Sequence, residues 1–255
     1  MSLDYNLDFI NDKSKKSSIK KAIAILERAY YKNMEEYSFF LDPFEQEVIE
    51  SIANKNKIDI KFIGGNDLAE RKIFIANFFY EPIIESNYIS ILKFDHDGLS
   101  HPDVLGSLMS LNLDRETIGD IVIDRNHCEF AILKDEASFV KYNLTKIKRQ
   151  SINIDFKKDN TLDIKLDDFT NHSGFVSSLR LDNLISEFIN TARTKAKDLI
   201  KSKFVKVNYE IIDDPSKIIN ENSMISIRRE GRFIFDEVTG TSKKGNSHIT
   251  YRKLK

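Results

Sequence analysis

Three basic residues lie at helical spacing near the carboxyl end of the chain, within the segment ARTKAKDLIKSK. Arg193, Lys197 and Lys201 are four residues apart, so a helix would place them along one exposed line of about two turns. Like charges at this spacing repel each other, and a bound polyanion would remove that cost. Asp198 is the only acidic residue on this predicted helix. The spacing therefore favours a site for a polyanion such as RNA over an ordinary solvated helix face.

Further basic residues surround this helix in the sequence. Arg180 begins a first short amphipathic helix, RLDNLISEFIN, and Lys206 lies on the predicted strand FVKVNYEII. Three more cluster at the turn Glu230–Gly231, between the predicted strands SMISIRR and GRFIFDEV. Two short helices and a small sheet, both basic on one side, can hold phosphates. The predicted RNA-binding residues are Arg180, Arg193, Lys195, Lys197, Lys201, Lys206, Arg228, Arg229 and Arg232.

The net charge of −1 hides an uneven distribution of charged residues. Residues 180–255 hold 16 Lys and Arg against 10 Asp and Glu, a charge of +6, and the rest of the chain holds 23 against 30, a charge of −7. Such asymmetry indicates an anionic partner for the basic end, although modest charge differences between domains also arise by chance.

Two places in the acidic body combine residue types that could do chemistry. The segment DHDGLSHPD gathers His96, His101 and three Asp, which could ligate a metal ion, but the two histidines lack the four-residue spacing of a helical site. Cys128 follows His127, yet adjacent residues on a strand point to opposite faces and cannot readily form a nucleophile–base pair. No phosphate-binding loop, GxSxG elbow or zinc signature is present. We therefore predict no catalytic residues, no metal and no cofactor.

Composition and cysteine usage indicate a cytoplasmic protein. A single cysteine excludes an intramolecular disulfide framework and a cysteine-rich zinc site. The first residues, MSLDYNLDFINDK, carry acidic residues and lack the apolar core of a signal peptide. No stretch approaches the roughly 18 uninterrupted apolar residues that span a bilayer. We expect no membrane partner.

The hydropathy pattern predicts an α+β protein of three modules. Residues 1–80 read as a helical pair followed by strands, with Asp42-Pro43 opening the second helix. Residues 81–168 read as strand, helix, strand, strand, helix and strand, ending in SINIDF and LDIKL, which is the order of a ferredoxin-like plait. That fold also hosts RNA-recognition domains, but the aromatic strand motif of those domains is missing. Residues 169–178 are predicted to be a linker, and residues 179–255 form the basic module.

The basic module resembles the S-four RNA-binding domain. RLD, ARTKAKDLI, VKVN and a basic strand after a turn carry the resemblance, which covers about the last 75 residues. The family usually has Ser where Ala192 stands, and Asn190 or Thr191 could cap the helix instead. It has Gly where Lys203 and Asn222 stand, which implies a left-handed backbone at both positions, at a cost of about 1 kcal/mol for a Lys. The resemblance implies binding to structured RNA.

The central segment HPDVLGSLMSLNLDRETIGDI resembles the signature of the bacterial YlmH family, and the likeness extends over nearly the whole chain. Pro102 replaces an Arg of that signature. The matching residues are Gly64, Gly65, Ala69, Glu70, Arg71, His101, Asp103, Leu105, Gly106, Arg115, Gly119, Asp120 and Ile121. The resemblance implies a non-enzymatic, monomeric factor of ribosome-associated quality control that binds rRNA or tRNA on the large ribosomal subunit carrying peptidyl-tRNA.

Two other functions are compatible with the sequence. An RNA-modifying enzyme would place its catalytic residues in the acidic body, with Asp103 and Asp120 as candidates. A protein-interaction factor, for example one linked to cell division, would bind RNA only incidentally.

Overall fold

The computed structural model describes residues 3–10, 12–79, 82–165 and 168–254. The chain divides into two compact units, residues 1–165 and 166–255. No helix in the described part of the chain combines the length and the apolar composition that a bilayer span requires.

The first part of unit 1 is a helical pair with a small antiparallel sheet, as predicted. Its elements are α1 (Lys13–Lys32), β1 (Glu36–Tyr37), α2 (Pro43–Lys55), β2 (Ile60–Ile63) and β3 (Ile73–Ala76), with strand order β1-β3-β2. Asp42 caps α2: its carboxylate accepts from the Glu45 N–H, and the Glu45 side chain accepts from the Asp42 N–H. The Asp42-Pro43 pair thus begins a helix, as the sequence indicated.

The central part of unit 1 is the predicted ferredoxin-like plait. Its elements are β4 (Ile89–Asp95), α3 (His101–Met109), β5 (Ile118–Ile123), β6 (His127–Leu133), α4 (Lys134–Asn143), β7 (Lys146–Ile147), β8 (Gln150–Ser151) and β9 (Asp155–Phe156). The four main strands are antiparallel in the order β5-β6-β4-β9, and β7 and β8 form a separate hairpin. The prediction of a further strand over LDIKL is wrong, since residues 161–165 have no regular structure. The last strand of the plait is the short β9.

The two faces of the plait sheet have different neighbours. On one face Phe130 and Ile132 pack with Val104 of α3 and Val140 of α4. On the other face Ile89, Ile91 and Ala131 join a buried cluster with residues of the helical-pair region, among them Phe40, Ile63 and Ile73. The two predicted domains of residues 1–80 and 81–168 therefore share a core, and the boundary between them stays a prediction.

Unit 2 packs two helices against one face of a six-stranded sheet. Its elements are β10 (Phe169–Val176), α5 (Leu181–Phe188), α6 (Arg193–Lys201), β11 (Val205–Val207), β12 (Glu210–Ile211), β13 (Ser223–Ile227), β14 (Gly231–Thr241) and β15 (Ser247–Leu254). The strand order is β10-β15-β14-β13-β11-β12. Buried residues of both helices, such as Ile185 and Ile200, share a cluster with Val205, Ile225 and Phe233 of the sheet.

The prediction of a linker over residues 169–178 needs correction. Phe169–Val176 is an eight-residue strand that pairs along its whole length with β15, from Phe169 opposite Leu254 to Val176 opposite Ser247. Most of its side chains are polar and exposed, because β10 is an edge strand that is held by backbone hydrogen bonds. The composition of residues 169–178 therefore resembles that of a loop.

Candidate nucleic-acid interface

The helix layer of unit 2 presents the predicted basic line to solvent. Ala196 and Ile200 are the buried residues of α6, and they pack into the core that α5 and the sheet form. Arg193 and Lys201 are the first and last residues of α6, and both are exposed. The line of cations lies along the solvent-facing side of α6, as the periodicity predicted.

A buried carboxylate organises the amino-terminal end of this basic line. Asp182, in the first turn of α5, is fully buried. Arg180 donates from Nε to Oδ1 and from Nη2 to Oδ2, at 3.1 Å each. Arg193 donates from Nε to Oδ2 at 3.0 Å and from Nη2 to Oδ1 at 3.2 Å. Lys197 Nζ lies 3.9 Å from Oδ2. One carboxylate thus fixes two guanidinium groups and attracts an ammonium group.

This cluster keeps an excess of positive charge. Burial acts to raise the pKa of Asp182, but the hydrogen bonds from Arg180 and Arg193 outweigh it, so the pKa lies below its ordinary value. The carboxylate is therefore ionised at neutral pH. Asp182, together with Asp214 near Arg180, places two negative charges against three positive ones. The side chains of Arg180 and Arg193 remain 33% and 44% exposed, so their remaining N–H groups can reach an anionic ligand.

The amino terminus of α6 lies beside this cluster and has no side-chain cap. Ala192 is the N-cap residue, and it makes no side-chain hydrogen bond. The prediction that Asn190 or Thr191 caps the helix is wrong, because the N-cap position falls on Ala192. Nearby, Ser186 Oγ donates to the Thr191 carbonyl at 2.6 Å. The positive end of the helix dipole therefore adds to the potential around Arg193.

The other predicted residues lie at two further places. Lys195 is exposed on α6. Lys206 and Arg232 each lie opposite Ser226, on neighbouring strands. Val205 and Val207 point into the core between sheet and helices, so Lys206 points to the opposite face of the sheet. The nine residues therefore form two groups. The helix-side group is Arg180, Arg193, Lys195, Lys197 and Lys201, and the sheet-side group is Lys206, Arg228, Arg229 and Arg232.

Arg228 and Arg229 follow the end of β13, at the border of the sheet-side group. Arg229 has a left-handed backbone with φ of 70°. The Arg228 guanidinium lies over the ring of Phe204, 5.0 Å from its centroid. Phe204 was not among the predicted site residues, since only the strand pairing brings it beside Arg228.

The two glycine positions of the S-four pattern have the expected backbone. Lys203 has φ of 61° and Asn222 has φ of 62°, both in the left-handed region. The Lys203 N–H donates to the Ile200 carbonyl at 2.9 Å and the Phe204 N–H to the Leu199 carbonyl at 3.0 Å, which closes the end of α6. The left-handed turn directs the chain from α6 into β11.

In unit 1, Arg71 and Asp120 of the YlmH signature connect parts of the fold through hydrogen bonds. The Asp120 carboxylate accepts from the backbone N–H groups of Glu70 and Arg71, at 2.6 and 3.2 Å. The Arg71 side chain donates to the carbonyls of Ile118 and Phe40, at 3.2 and 2.6 Å. Burial lowers the pKa of Arg71 and raises that of Asp120. These groups tie the loop around residue 70 to β5.

Asp103 has a structural role as well. Its carboxylate accepts from the N–H and the hydroxyl of Ser100, which caps α3, and it pairs with Lys148 Nζ at 2.7 Å. Both carboxylates that an RNA-modifying enzyme would have used are thus occupied by contacts within the fold. Pro102 lies in the first turn of α3, where proline is well tolerated.

His96 and His127 of the acidic body also have local partners, although the buried His96 Nε2 neither accepts nor donates a hydrogen bond among the described residues. The Leu99 N–H donates to His96 Nδ1 at 3.1 Å, and His96 is buried. His127 contacts Asp95 and Glu129 at 2.8 and 3.2 Å. In the residues that the structure describes, no group of three or more His, Cys, Asp or Glu is arranged to hold a metal ion.

Cys128 should be unreactive in the folded protein. It is fully buried on the helix-covered face of the plait, and burial raises the pKa of its thiol to about 12. We expect iodoacetamide at pH 8 to modify Cys128 only after denaturation, as measured by intact mass. Stoichiometric modification of the native protein would contradict this assignment.

The plait sheet does not offer a face for stacking RNA bases. Half of the face opposite α3 and α4 is buried against the helical-pair region through Ile89, Ile91 and Ala131. The other half carries Glu129, which is buried and accepts from Lys157 Nζ at 2.9 Å and from the Asp163 N–H at 3.1 Å. We therefore assign no base stacking to this face of the sheet.

The fold and the helix-side group define an RNA-binding protein of the S4 class. The model of the S4 domain matches residues 179–225, and the model described as "Putative RNA-binding domain in YlmH" matches residues 85–161. The chain is 32% identical over 221 residues to the "Ribosome-associated protein quality control protein P2" of Bacillus subtilis (strain 168), covering 85% of this chain and 86% of that protein. The chain therefore belongs to the YlmH family.

A solved structure shares part of the fold. The "Cell division protein ylmH from Streptococcus pneumoniae" superposes with a TM-score of 0.52 and 12% sequence identity, covering 60% of this chain and 96% of that one. At this identity the likeness concerns the fold alone.

Proposed function

We propose that this chain is a non-enzymatic, cytoplasmic RNA-binding factor of ribosome-associated quality control. It binds the large ribosomal subunit as a monomer and contacts rRNA or tRNA through the basic residues of unit 2. The observation that carries the proposal is the cluster around Asp182, in which a buried carboxylate holds Arg180 and Arg193 beside the uncapped end of α6.

Three features support RNA as the ligand of this cluster. Guanidinium groups bind phosphate through two parallel N–H donors, and their orientation here is fixed before the ligand arrives. A preorganised cluster loses less conformational entropy on binding than mobile surface lysines do. The relative in Bacillus subtilis is named as ribosome-associated, which agrees with this ligand.

Asp103 and Asp120 have structural partners, which supports a role without catalysis.

Removing three cations from α6 should weaken ribosome binding. We expect a variant with Lys195→Ala, Lys197→Ala and Lys201→Ala to bind about tenfold more weakly near physiological salt. The slope of log K against log salt should fall by roughly 2 to 3, because each lost phosphate contact releases one counterion fewer. Arg193 is left in place because it also supports the buried carboxylate. Co-sedimentation with purified ribosomal subunits at increasing salt measures both quantities.

The matched control removes the same charge from unit 1. Lys20, Lys32 and Lys61 are exposed lysines, and their replacement by Ala also lowers the net charge by three. This control should retain most of its ribosome binding. Equal loss in both variants would indicate attraction by net charge alone, and no loss in the α6 variant would contradict the proposed site.

A further inference from the structure

Phe204 forms an exposed aromatic platform within the sheet-side group. Its ring is 39% exposed, and the Arg228 guanidinium lies 5.0 Å from its centroid. Val205 lies opposite Ile227 in the ladder, so Phe204 and Arg228 are the next opposite pair. Lys206 and Arg232, which flank Ser226, follow on the same face of the sheet. The platform is therefore bordered by three basic side chains.

The backbone holds this platform in a fixed position. The Phe204 N–H donates to the Leu199 carbonyl at 3.0 Å, and the Phe204 carbonyl accepts from the Arg228 N–H at 2.9 Å. The preceding Lys203 is in the left-handed conformation, which turns the chain sharply out of α6. A ring that is fixed between a helix end and a strand loses little entropy when a ligand packs on it.

The surroundings of the ring favour a nucleotide over an apolar peptide. The segments that pair beside the ring, residues 203–206 and 226–232, hold five Lys and Arg against one acid, Glu230, and Asp213 and Asp214 follow β12, the strand next to β11. An exposed aromatic ring with a guanidinium beside it, in a basic field, suits a base that stacks and a phosphate that pairs. A paired base is already stacked within its helix and presents no free ring face. The fitting ligand is therefore an unpaired nucleotide.

We propose that Phe204 and Arg228 stack one unpaired RNA base, while Lys206 and Arg232 contact the neighbouring phosphates. This second site rests on the RNA-binding role proposed above, but it lies on the sheet side and uses no residue of α6. It gives the protein a way to distinguish a bulge, loop or single strand from a continuous duplex, which a line of cations cannot do.

The absence of tryptophan from this chain provides a direct test. Phe204→Trp introduces a single indole at the platform, and a stacked base quenches indole fluorescence. The probes are a single-stranded oligoribonucleotide of about ten nucleotides, within the usual site size for such surfaces, and a fully paired duplex of the same length. We expect strong quenching by the single strand and much weaker quenching by the duplex at equal occupancy.

The control is Phe175→Trp, at an exposed position on β10. Phe175 is 54% exposed, and its ring is tilted against that of His248, with 4.7 Å between the centroids. Its strand β10 lies at the opposite edge of the sheet from β11 and β12. RNA should leave the emission of this variant unchanged. Equal responses of the two tryptophans, or unchanged Phe204→Trp emission at saturating single strand, would overturn the proposal. Quenching by a protein partner in the absence of any response to RNA would overturn it as well.

Affinity gives a second, independent readout. Phe204→Leu keeps an apolar side chain but removes the aromatic face, so we expect about tenfold weaker binding of the single strand and unchanged binding of the duplex. Phe175→Leu should bind both probes like the unaltered protein. If Phe204→Leu binds the single strand normally while the α6 variant loses binding, the stacking site is excluded and the proposed function stands.

Discussion

Replacing Asp182 by Asn should destabilise unit 2 by about 3 kcal/mol. The carboxylate accepts four charge-assisted hydrogen bonds, two each from Arg180 and Arg193. An Asn keeps the shape but offers one acceptor oxygen, and its buried NH₂ group faces guanidinium donors and stays unpaired. Such bonds contribute about 1.5 to 3 kcal/mol each, and an unpaired buried donor costs a similar amount. The Arg180 and Arg193 side chains are 33% and 44% exposed, so solvent screening reduces the summed energy of these four hydrogen bonds.

The pH dependence of stability gives this prediction a signature. The folded-state pKa of Asp182 is lower than its ordinary value of 3.8. Its ionised form therefore stabilises the fold above about pH 4, and this contribution is lost as pH falls from there through the folded-state pKa. Urea unfolding between pH 7 and pH 3 should show this acid-dependent loss in the unaltered protein. Asp182→Asn should show a smaller loss, since Asp214 of the same unit also has a lowered pKa.

Asp198→Asn is the matched control for charge. Asp198 is exposed on α6, and its replacement changes the net charge by the same amount. We expect a change within about 0.5 kcal/mol, as for most exposed positions. If both variants unfold at the same urea concentration, Asp182 does not stabilise the cluster as the distances indicate.

RNA binding separates a positioning role of Asp182 from a merely structural one. The substitution removes one negative charge, so electrostatics alone predicts tighter binding and a steeper salt dependence. Loss of the fixed guanidinium geometry predicts weaker binding to ribosomes at temperatures where the variant remains folded. We expect weaker binding, and tighter binding than the unaltered protein would show that arginine geometry is unimportant.

Local patterns in the sequence predicted most of the fold because each element carried its own signal. The plait followed from alternating strands and two amphipathic helices, and its strand order is the one that this succession adopts. The strand β10 was missed because an edge strand of polar residues has no alternating apolar pattern, and its pairing with β15 depends on residues more than 70 positions away. Such partners cannot be identified from composition.

The candidate site was predicted in part for the same reason. Helical periodicity placed Arg193, Lys197 and Lys201 on one side of α6 because the pattern lies within one helix. The role of Asp182 depends on the packing of α5 against α6, which no local spacing encodes. A signal was nevertheless present, since an acid in the first turn of an apolar helix and between basic segments calls for a partner. Phe204 was missed because its pairing with Arg228 spans two strands.

Gly119→Ala should destabilise unit 1 by about 3 kcal/mol. Gly119 is buried in β5, and an added Cβ would lie 2.6 Å from Phe40 Cε1 and 2.8 Å from Ala131 Cβ. These distances are shorter than carbon atoms tolerate, so the neighbours must move. Phe40 cannot move easily: its N–H donates to the Glu116 carbonyl at 2.8 Å, and its carbonyl accepts from Arg71 at 2.6 Å. Overpacking of a rigid core costs about 1 to 3 kcal/mol, and occasionally more.

Gly106 is the matched control because it is the other signature glycine that lies within a regular element. It is exposed in the middle of α3, and an added Cβ would meet no heavy atom within 4 Å. Gly106→Ala should therefore stabilise the protein by about 0.5 to 1 kcal/mol, since Ala favours a helix and restricts the unfolded chain. Calorimetry, with hydrogen exchange to assign each transition to its unit, should show melting temperatures that move in opposite directions. Parallel shifts would contradict the steric role of Gly119. Opposite shifts would show that the fold requires the glycine at position 119 and tolerates a side chain at position 106.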